Sequence, residues 1–162
     1  MILVTLGTQD KDFSRLLKAV EKQIEKGIIK DKVVAQIGTT KYKSDLMETF
    51  DLIPSDKFNE LMSECDVLIT HGGVGSILAG LKENKKVIAA ARLSKYKEHV
   101  NDHQLEIIDK FTKAGYILEL KDFEKLDKIL KKCETFKPKK YKSNTENMVK
   151  LIEDYIDSFD KK

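Results

Sequence analysis

The run Leu68-Ile69-Thr70-His71-Gly72-Gly73-Val74-Gly75-Ser76-Ile77-Leu78 constrains this chain more than any other segment. A β-type apolar stretch from Val67 to Thr70 ends in a glycine-rich turn, and a helical apolar pattern starts at once. Glycines let a backbone approach a ligand closely, and the first turn of a helix leaves N–H groups without intrahelical partners. With the positive end of the helix dipole, such a turn can receive a phosphate or diphosphate. The same glycines also fit a tight strand-to-helix connection that binds nothing.

The rest of the chain repeats this alternation of short β-rich runs and helical patterns, without internal repeats. Strands are predicted at Ile2–Leu6, Lys32–Ile37, Glu48–Ile53, Asp66–Thr70, Lys86–Ala91 and Tyr116–Leu120. Helices are predicted over Asp12–Lys26, from Pro54-Ser55 through Met62, over Gly75–Glu83, from about Asn101, and over Phe123–Lys132. The Asn101 helix is expected to turn Leu105, Ile108 and Phe111 inward, and Asn144 to cap a last helix bearing Met148, Leu151, Ile152, Tyr155, Ile156 and Phe159. Strands that alternate with helices imply right-handed crossovers and a parallel sheet covered on both faces. The fold class is therefore α/β, Rossmann-like, with expected strand order 3-2-1-4-5-6. In that order strands one and four are neighbours whose connections leave to opposite sides, opening a crevice at their carboxyl ends. Gly7 and Thr8 follow strand one, and His71 to Ser76 follow strand four, so two glycine-bearing turns meet there.

A length of 162 residues suits one domain spanning 1–162. No apolar run approaches the roughly 20 residues of a membrane span, and the apolar N-terminus lacks the basic region of a signal peptide. Cys65 and Cys133 form no metal spacing, and Cys65 reads as a buried thiol, so a cytoplasmic location is expected. The 30 basic residues are nearly matched by 27 acidic ones. The uncompensated run is Lys137-Pro138-Lys139-Lys140-Tyr141-Lys142, read as a solvated linker that with the last helix makes up 137–162. Contact with anionic lipid or an acidic partner is its alternative reading. Nucleic-acid binding would need a broader basic stripe with interleaved aromatics.

Several motifs are missing. The first turn, Leu6-Gly7-Thr8-Gln9-Asp10-Lys11-Asp12, cannot supply G-x-G-x-x-G, and neither a P-loop nor a nucleophile elbow occurs. Asp10-Lys11-Asp12 has the D-x-D form of some metal-dependent sugar-nucleotide enzymes, but its place at a helix start suits capping. A second polar cluster, Glu98-His99-Val100-Asn101-Asp102-His103-Gln104, follows strand five on the same sheet edge as the glycine turns. Its amides and imidazoles suit sugar hydroxyls. His99 and His103 alone could equally be surface caps, and as a zinc pair they lack a third ligand.

His71-Gly72-Gly73-Val74-Gly75-Ser76, the spacing to Asp102-His103-Gln104, and the opening Val4-Thr5-Leu6-Gly7-Thr8 resemble the C-terminal, donor-binding domain of GT-B glycosyltransferases of the MurG type, family 28. The likeness runs from residue 1 to about 120 and is greatest to free-standing single-domain members, eukaryotic and bacterial, that work with a second chain. It implies that Gly72, Gly73, Gly75 and Ser76 hold the diphosphate of a UDP-sugar, with His71 shaping the turn and reaching toward the phosphates. It implies that Ile53, ending strand three, lines the uracil pocket, and that Gly7 and Thr8 face the cleft. His103 and Gln104, beside Asn101, would meet the donor sugar. Ala79 departs from the family, whose members often place an acidic residue there to hold the ribose. The implied activity is that of the catalytic subunit of an inverting hexosyltransferase acting on a lipid-linked saccharide in capsule or exopolysaccharide synthesis. Transfer would be β-1,4-galactosyl, glucosyl or N-acetylglucosaminyl, without cofactor or metal and with the catalytic residues unassigned. A membrane-anchored acceptor-binding subunit would complete the cleft and hold the chain at the inner membrane face. A non-catalytic enhancer subunit is the alternative.

Overall fold

Ile2–Thr5, Val33–Gln36, Val67–His71 and Lys86–Ala90 are buried along almost their whole length, which a sheet tolerates only with both faces covered. The structure is a computed structural model and describes residues 1–142, 150, 152–155 and 157–158. These four segments are β1, β2, β4 and β5; Glu48–Phe50 is β3 and Leu118–Glu119 is β6. The helices are α1 (Ser14–Glu25), α2 (Ser55–Glu64), α3 (Val74–Lys82), α4 (His103–Lys113) and α5 (Leu126–Thr135). All strand pairs are parallel, in the order β3-β2-β1-β4-β5-β6 that the alternation predicts.

Period-two alternation sorts the side chains between two cores. Ile2, Val4, Val33, Ala35, Ile69 and Ile88 join Leu16, Leu17 and Val20 of α1 and Leu126 of α5 on one face. Leu3, Val34, Leu68, Val87 and Ala89 join Leu61 of α2, Ile77 of α3 and Ile108 of α4 on the other. The register sets Thr5 of β1 beside Thr70 of β4, so the turns that follow these two strands rise side by side.

Element ends differ from the sequence reading for local reasons. β3 stops at Phe50, and Ile53 does not end a strand but sits in the loop before α2. Its neighbour β2 turns away at Gly38, whose φ is +58°, so no ladder partner remains beyond Asp51. β4 runs on to His71 because that residue still pairs with Ala90. α4 begins at His103 rather than Asn101, since the Asn101 side chain accepts the His103 N–H at 3.2 Å and holds the preceding backbone in a turn. That start places Gln104, Ile107, Ile108 and Phe111 inward and leaves Leu105 exposed, against expectation. Asp12 accepts from the N–H and hydroxyl of Ser14 at 3.2 and 2.8 Å, in front of α1.

The basic run is irregular with its four lysines exposed, as a solvated linker would be, but it is also anchored at two points. The Lys139 N–H bonds the Gly115 carbonyl at 3.0 Å, and Tyr141 packs against the second core. Residues 150, 152–155 and 157–158 are helical, with Ile152 and Tyr155 against that core. Asn144, Met148, Leu151, Ile156 and Phe159 lie outside the described residues. No helix among the described residues is long and apolar enough to cross a membrane.

Close packing of α3 on the sheet yields a test. A Cβ at Gly80 would stand 2.7 Å from Leu68 Cδ2 and 2.8 Å from Val87 Cγ2, whereas at Gly75 it would meet nothing within 4 Å. Gly80→Ala is expected to cost about 1–3 kcal/mol in urea unfolding. Gly75→Ala, gaining helix propensity, should be neutral or stabilising by up to about 1 kcal/mol. Equal midpoints for the two variants would refute this packing.

Candidate functional site

Two glycine turns meet at the carboxyl ends of β1 and β4, with an imidazole between them. His71, the last residue of β4, is buried, and its ring faces both Gly7 and Gly73. A Cβ on Gly7 would fall 2.5 Å from the ring's Cε1 and Nε2, and one on Gly73 would fall 2.3 Å from Nε2. Gly7 also has φ +75°, which disfavours any side chain. Gly72 is closed in by Gln104, whose Cβ would lie 2.6 Å from a Cβ placed there. Three of the glycines thus serve internal contacts. Gly75 alone among those of the β4 turn faces open space.

Burial pushes the His71 pKa down to about 4; the Arg92 charge adds to this, and a hydrogen bond to the Thr5 backbone opposes it. The imidazole is therefore neutral near pH 7 and shapes the turn without adding charge to it.

Helix α3 opens from this turn. Its N-cap is Gly73, which has no side chain to cap with, and among the described residues the N–H groups of Val74, Gly75 and Ser76 receive no side-chain bond. No acidic residue stands in the first turn. The helix start borders a cleft of about 280 Å³ that Gly7, Thr8, Ile53 and Ser76 line together. Thr5, Gln36, Ser55 and Asn59 add hydroxyls and amides, and Phe58 with Ile53 makes an apolar wall. No carboxylate, imidazole, lysine or arginine is among these lining residues. A larger cleft of about 510 Å³ lies at the opposite edge, between Met1, Asp66, Lys85 and Glu134. That edge carries the amino ends of the strands, where open parallel sheets do not bind their ligands.

The second cluster adjoins the first. Gln104 Oε1 accepts from the Gly72 N–H and from the Arg92 N–H, both at 3.0 Å, joining the turns after β4 and β5. The Gln104 carbonyl is thus committed to backbone, and its side-chain NH2 is the donor that remains. His99 Nδ1 accepts the Asn101 N–H at 3.3 Å. The Asn101 oxygen holds the start of α4, and the His103 ring meets Tyr155 edge-on at 6.4 Å. Asn101, His103 and Gln104 do not line the 280 Å³ cleft.

Sequence reasoning missed Arg92 and the role of Glu98. Arg92 is 1% exposed, and its guanidinium donates to the carbonyls of Leu6 (2.6 Å), Lys11 (2.8 Å) and Glu98 (3.2 Å). The Glu98 carboxylate, equally hidden, takes a two-pronged bond from Arg15 at 2.7 and 2.9 Å and accepts the Leu93 N–H. One signal could have found them. Arg15 and Arg92 are the only arginines among 30 basic residues, and arginine is the cation suited to buried pairing.

Known proteins are similar to this chain in sequence and fold. The chain matches the glycosyltransferase family 28 C-terminal domain over residues 1–158. It is 29% identical over 107 residues to the UDP-N-acetylglucosamine transferase subunit ALG13 of Debaryomyces hansenii, covering 66% of this chain and 46% of that protein. It spans less than half the length of the curated relatives it matches. Among solved structures, the solution structure of ALG13 superposes with a TM-score of 0.60 at 19% identity, covering 93% of both chains. The glycosyltransferase of kitacinnamycin superposes with a TM-score of 0.61 at 16% identity, covering 95% of this chain and 38% of that one. The fold is thus that of the C-terminal half of a GT-B glycosyltransferase.

Neutral His71 makes stability depend on pH. The unfolded chain takes up a proton near pH 6.5 that the folded chain refuses until about pH 4. Stability falls as pH drops through that window, by about 2–3 kcal/mol between pH 7 and 4.5. Urea unfolding of His71→Asn should show a shallower fall by that amount. Parallel pH profiles for the two proteins would show that the ring is not held neutral.

Proposed function

We propose, from the premise that this chain belongs to the glycosyltransferase family 28 C-terminal domain family, that it is the donor-binding, catalytic subunit of an inverting UDP-sugar hexosyltransferase. One observation carries the reading. The uncapped N-terminus of α3 opens into a cleft at the crossing point of β1 and β4 whose lining is free of acidic side chains. A diphosphate fits such a place because unpaired amides and the helix dipole favour negative charge, and no carboxylate repels it. In this reading Gly75 and Ser76 lie against the phosphates and Gly7 and Thr8 face the cleft. Ile53 and Phe58 wall the base, and the Gln104 amide with Asn101 and His103 meets the sugar. Gly72, Gly73 and His71 act one layer below, fixing the turn.

The chemistry follows from that placement. An acceptor hydroxyl attacks the anomeric carbon from the face opposite the leaving UDP, inverting configuration. Negative charge grows on the β-phosphate, where preorganised amides stabilise it. A general base must take the acceptor proton, and the cleft lining holds none. The base and acceptor site therefore belong, in this proposal, to a membrane-anchored partner subunit that presents a lipid-linked saccharide. The chain works at the cytoplasmic face, in polysaccharide synthesis. The name of the relatives favours N-acetylglucosaminyl over galactosyl or glucosyl transfer. Ala79, where an acid is expected for ribose, favours the second reading, a non-catalytic enhancer subunit.

Calorimetry with UDP tests donor binding. A side chain at Gly73 would strike His71, so the diagnostic position is Gly75, where there is room. Gly75→Asp should fold normally, since an acidic first turn suits a helix, yet lower UDP affinity by about tenfold or more through repulsion. A wild-type chain that binds no UDP would end the donor-site reading. UDP binding without sugar transfer by the complex with its partner would favour the enhancer.

A further inference from the structure

The two arginines of the chain converge on Glu98, Arg15 at its buried carboxylate and Arg92 at its backbone carbonyl. Arg15 grips Glu98 with both prongs, at 2.7 and 2.9 Å, and its guanidinium lies 3.7 Å from the Phe123 ring centre and 4.3 Å from that of Tyr96. Arg92 does not pair with the carboxylate. It reaches the carbonyl of Glu98, together with those of Leu6 and Lys11, and stacks over Phe13 at 4.8 Å. Its Nε is buried without a hydrogen-bond partner among the described residues. The cluster therefore holds two cations and one anion, a net charge of +1. Asp12 also feels Arg92, but it is exposed and screened by solvent.

This charge touches the site through one peptide group. Leu6 and Gly7 share it: the Leu6 oxygen accepts from Arg92 Nη2 at 2.6 Å, and on its far side the Gly7 N–H donates to the hydroxyl oxygen of Thr5, another residue of the cleft lining, at 3.4 Å. A trans peptide sends its C=O and N–H in opposite directions, so a cation on the oxygen polarises the N–H away from itself. Gly7 lines the cleft. On the other flank, the Arg92 N–H and the Gly72 N–H share Gln104 Oε1, which fixes the guanidinium's own strand end to the glycine turn.

We propose that Arg92 is a positioning residue for the diphosphate: a buried, undercompensated cation that acts through the Leu6–Gly7 peptide to favour two added negative charges in the cleft. This rests on the donor-site reading above. Buried charge acts over longer range than surface charge because little water screens it. Three carbonyl acceptors keep the guanidinium protonated and fixed, a geometry that lysine cannot reproduce in full.

The readout is the ratio of UDP to uridine affinity, from titrations of the wild-type chain and three variants. Arg92→Met removes the charge and should shrink the ratio by roughly tenfold while uridine affinity stays within a factor of about three. Glu98→Gln keeps the shape that Arg15 and Leu93 contact but removes the compensating anion, and should enlarge the ratio. Arg92→Lys, which keeps the charge, should retain most of it. A purely structural role would lower UDP and uridine affinity together in all three variants and would overturn the proposal. So would an unchanged ratio, or a ratio that falls in Glu98→Gln. If Arg92→Met fails to fold, the direction of the Glu98→Gln shift decides alone. A wild-type chain that binds UDP no better than uridine would instead sink the donor-site reading.

Discussion

A parallel sheet covered on both faces confines chemistry to the ends of its strands. The apolar side chains along β1, β4 and β5 are spent on one core or the other, so polar groups reach a ligand from the carboxyl-edge turns and the strand ends beside them. Those turns must also satisfy their own buried backbone. Here the second demand is met from behind by Gln104 and Arg92, whose side chains bond backbone groups of three different connections. That arrangement leaves the front of the α3 turn, the N–H groups of Val74, Gly75 and Ser76, without a side-chain partner among the described residues. These amides can stay open because other polar groups have taken over the structural work.

The glycines divide along the same line. Gly7 and Gly73 are bare because the His71 ring fills the space between them, and Gly72 because Gln104 does. A sequence reader sees one glycine-rich motif and assigns all of it to the ligand. The structure assigns most of it to holding an imidazole and an amide in place. Gly75 alone meets the solvent side without an internal reason for its missing side chain.

What was legible in the chain follows from which forces are local. Strand order could be read because alternation and crossover handedness are properties of short segments and of chirality. The juxtaposition of Gly7 with the His71–Ser76 turn followed from that order. Strand ends could not be read: β3 stops at Phe50 because its partner β2 turns away at Gly38, a fact about another strand. The face of α4 slipped for a similar reason, since the Asn101 side chain delays the helix to His103 and puts Ile107 where Leu105 was expected. Tyr141 and Lys139 read as a linker because nothing in their own neighbourhood reveals Gly115 or the second core. Arg92 and Glu98 stayed hidden because pairing over tens of residues leaves no periodic trace. Only the scarcity of arginine in a lysine-rich chain marks them.

The electrostatics of the cleft carry one further implication. Its lining is neutral, its imidazole is held uncharged beneath the turn, and the Arg92 charge is sealed behind a peptide. Exposed lysines would attract any anion and hold it by contacts that salt weakens. Amides aimed at one point, backed by a cation that no ligand can touch, discriminate by position instead. In the proposed reading such a site stabilises a leaving group as it gains charge, because preorganised amides need not reorient to receive it. The neutral lining supplies no proton acceptor, so in the proposed reading the base comes from outside it. A second chain is one way to bring that base to the acceptor without placing an acid among the amides.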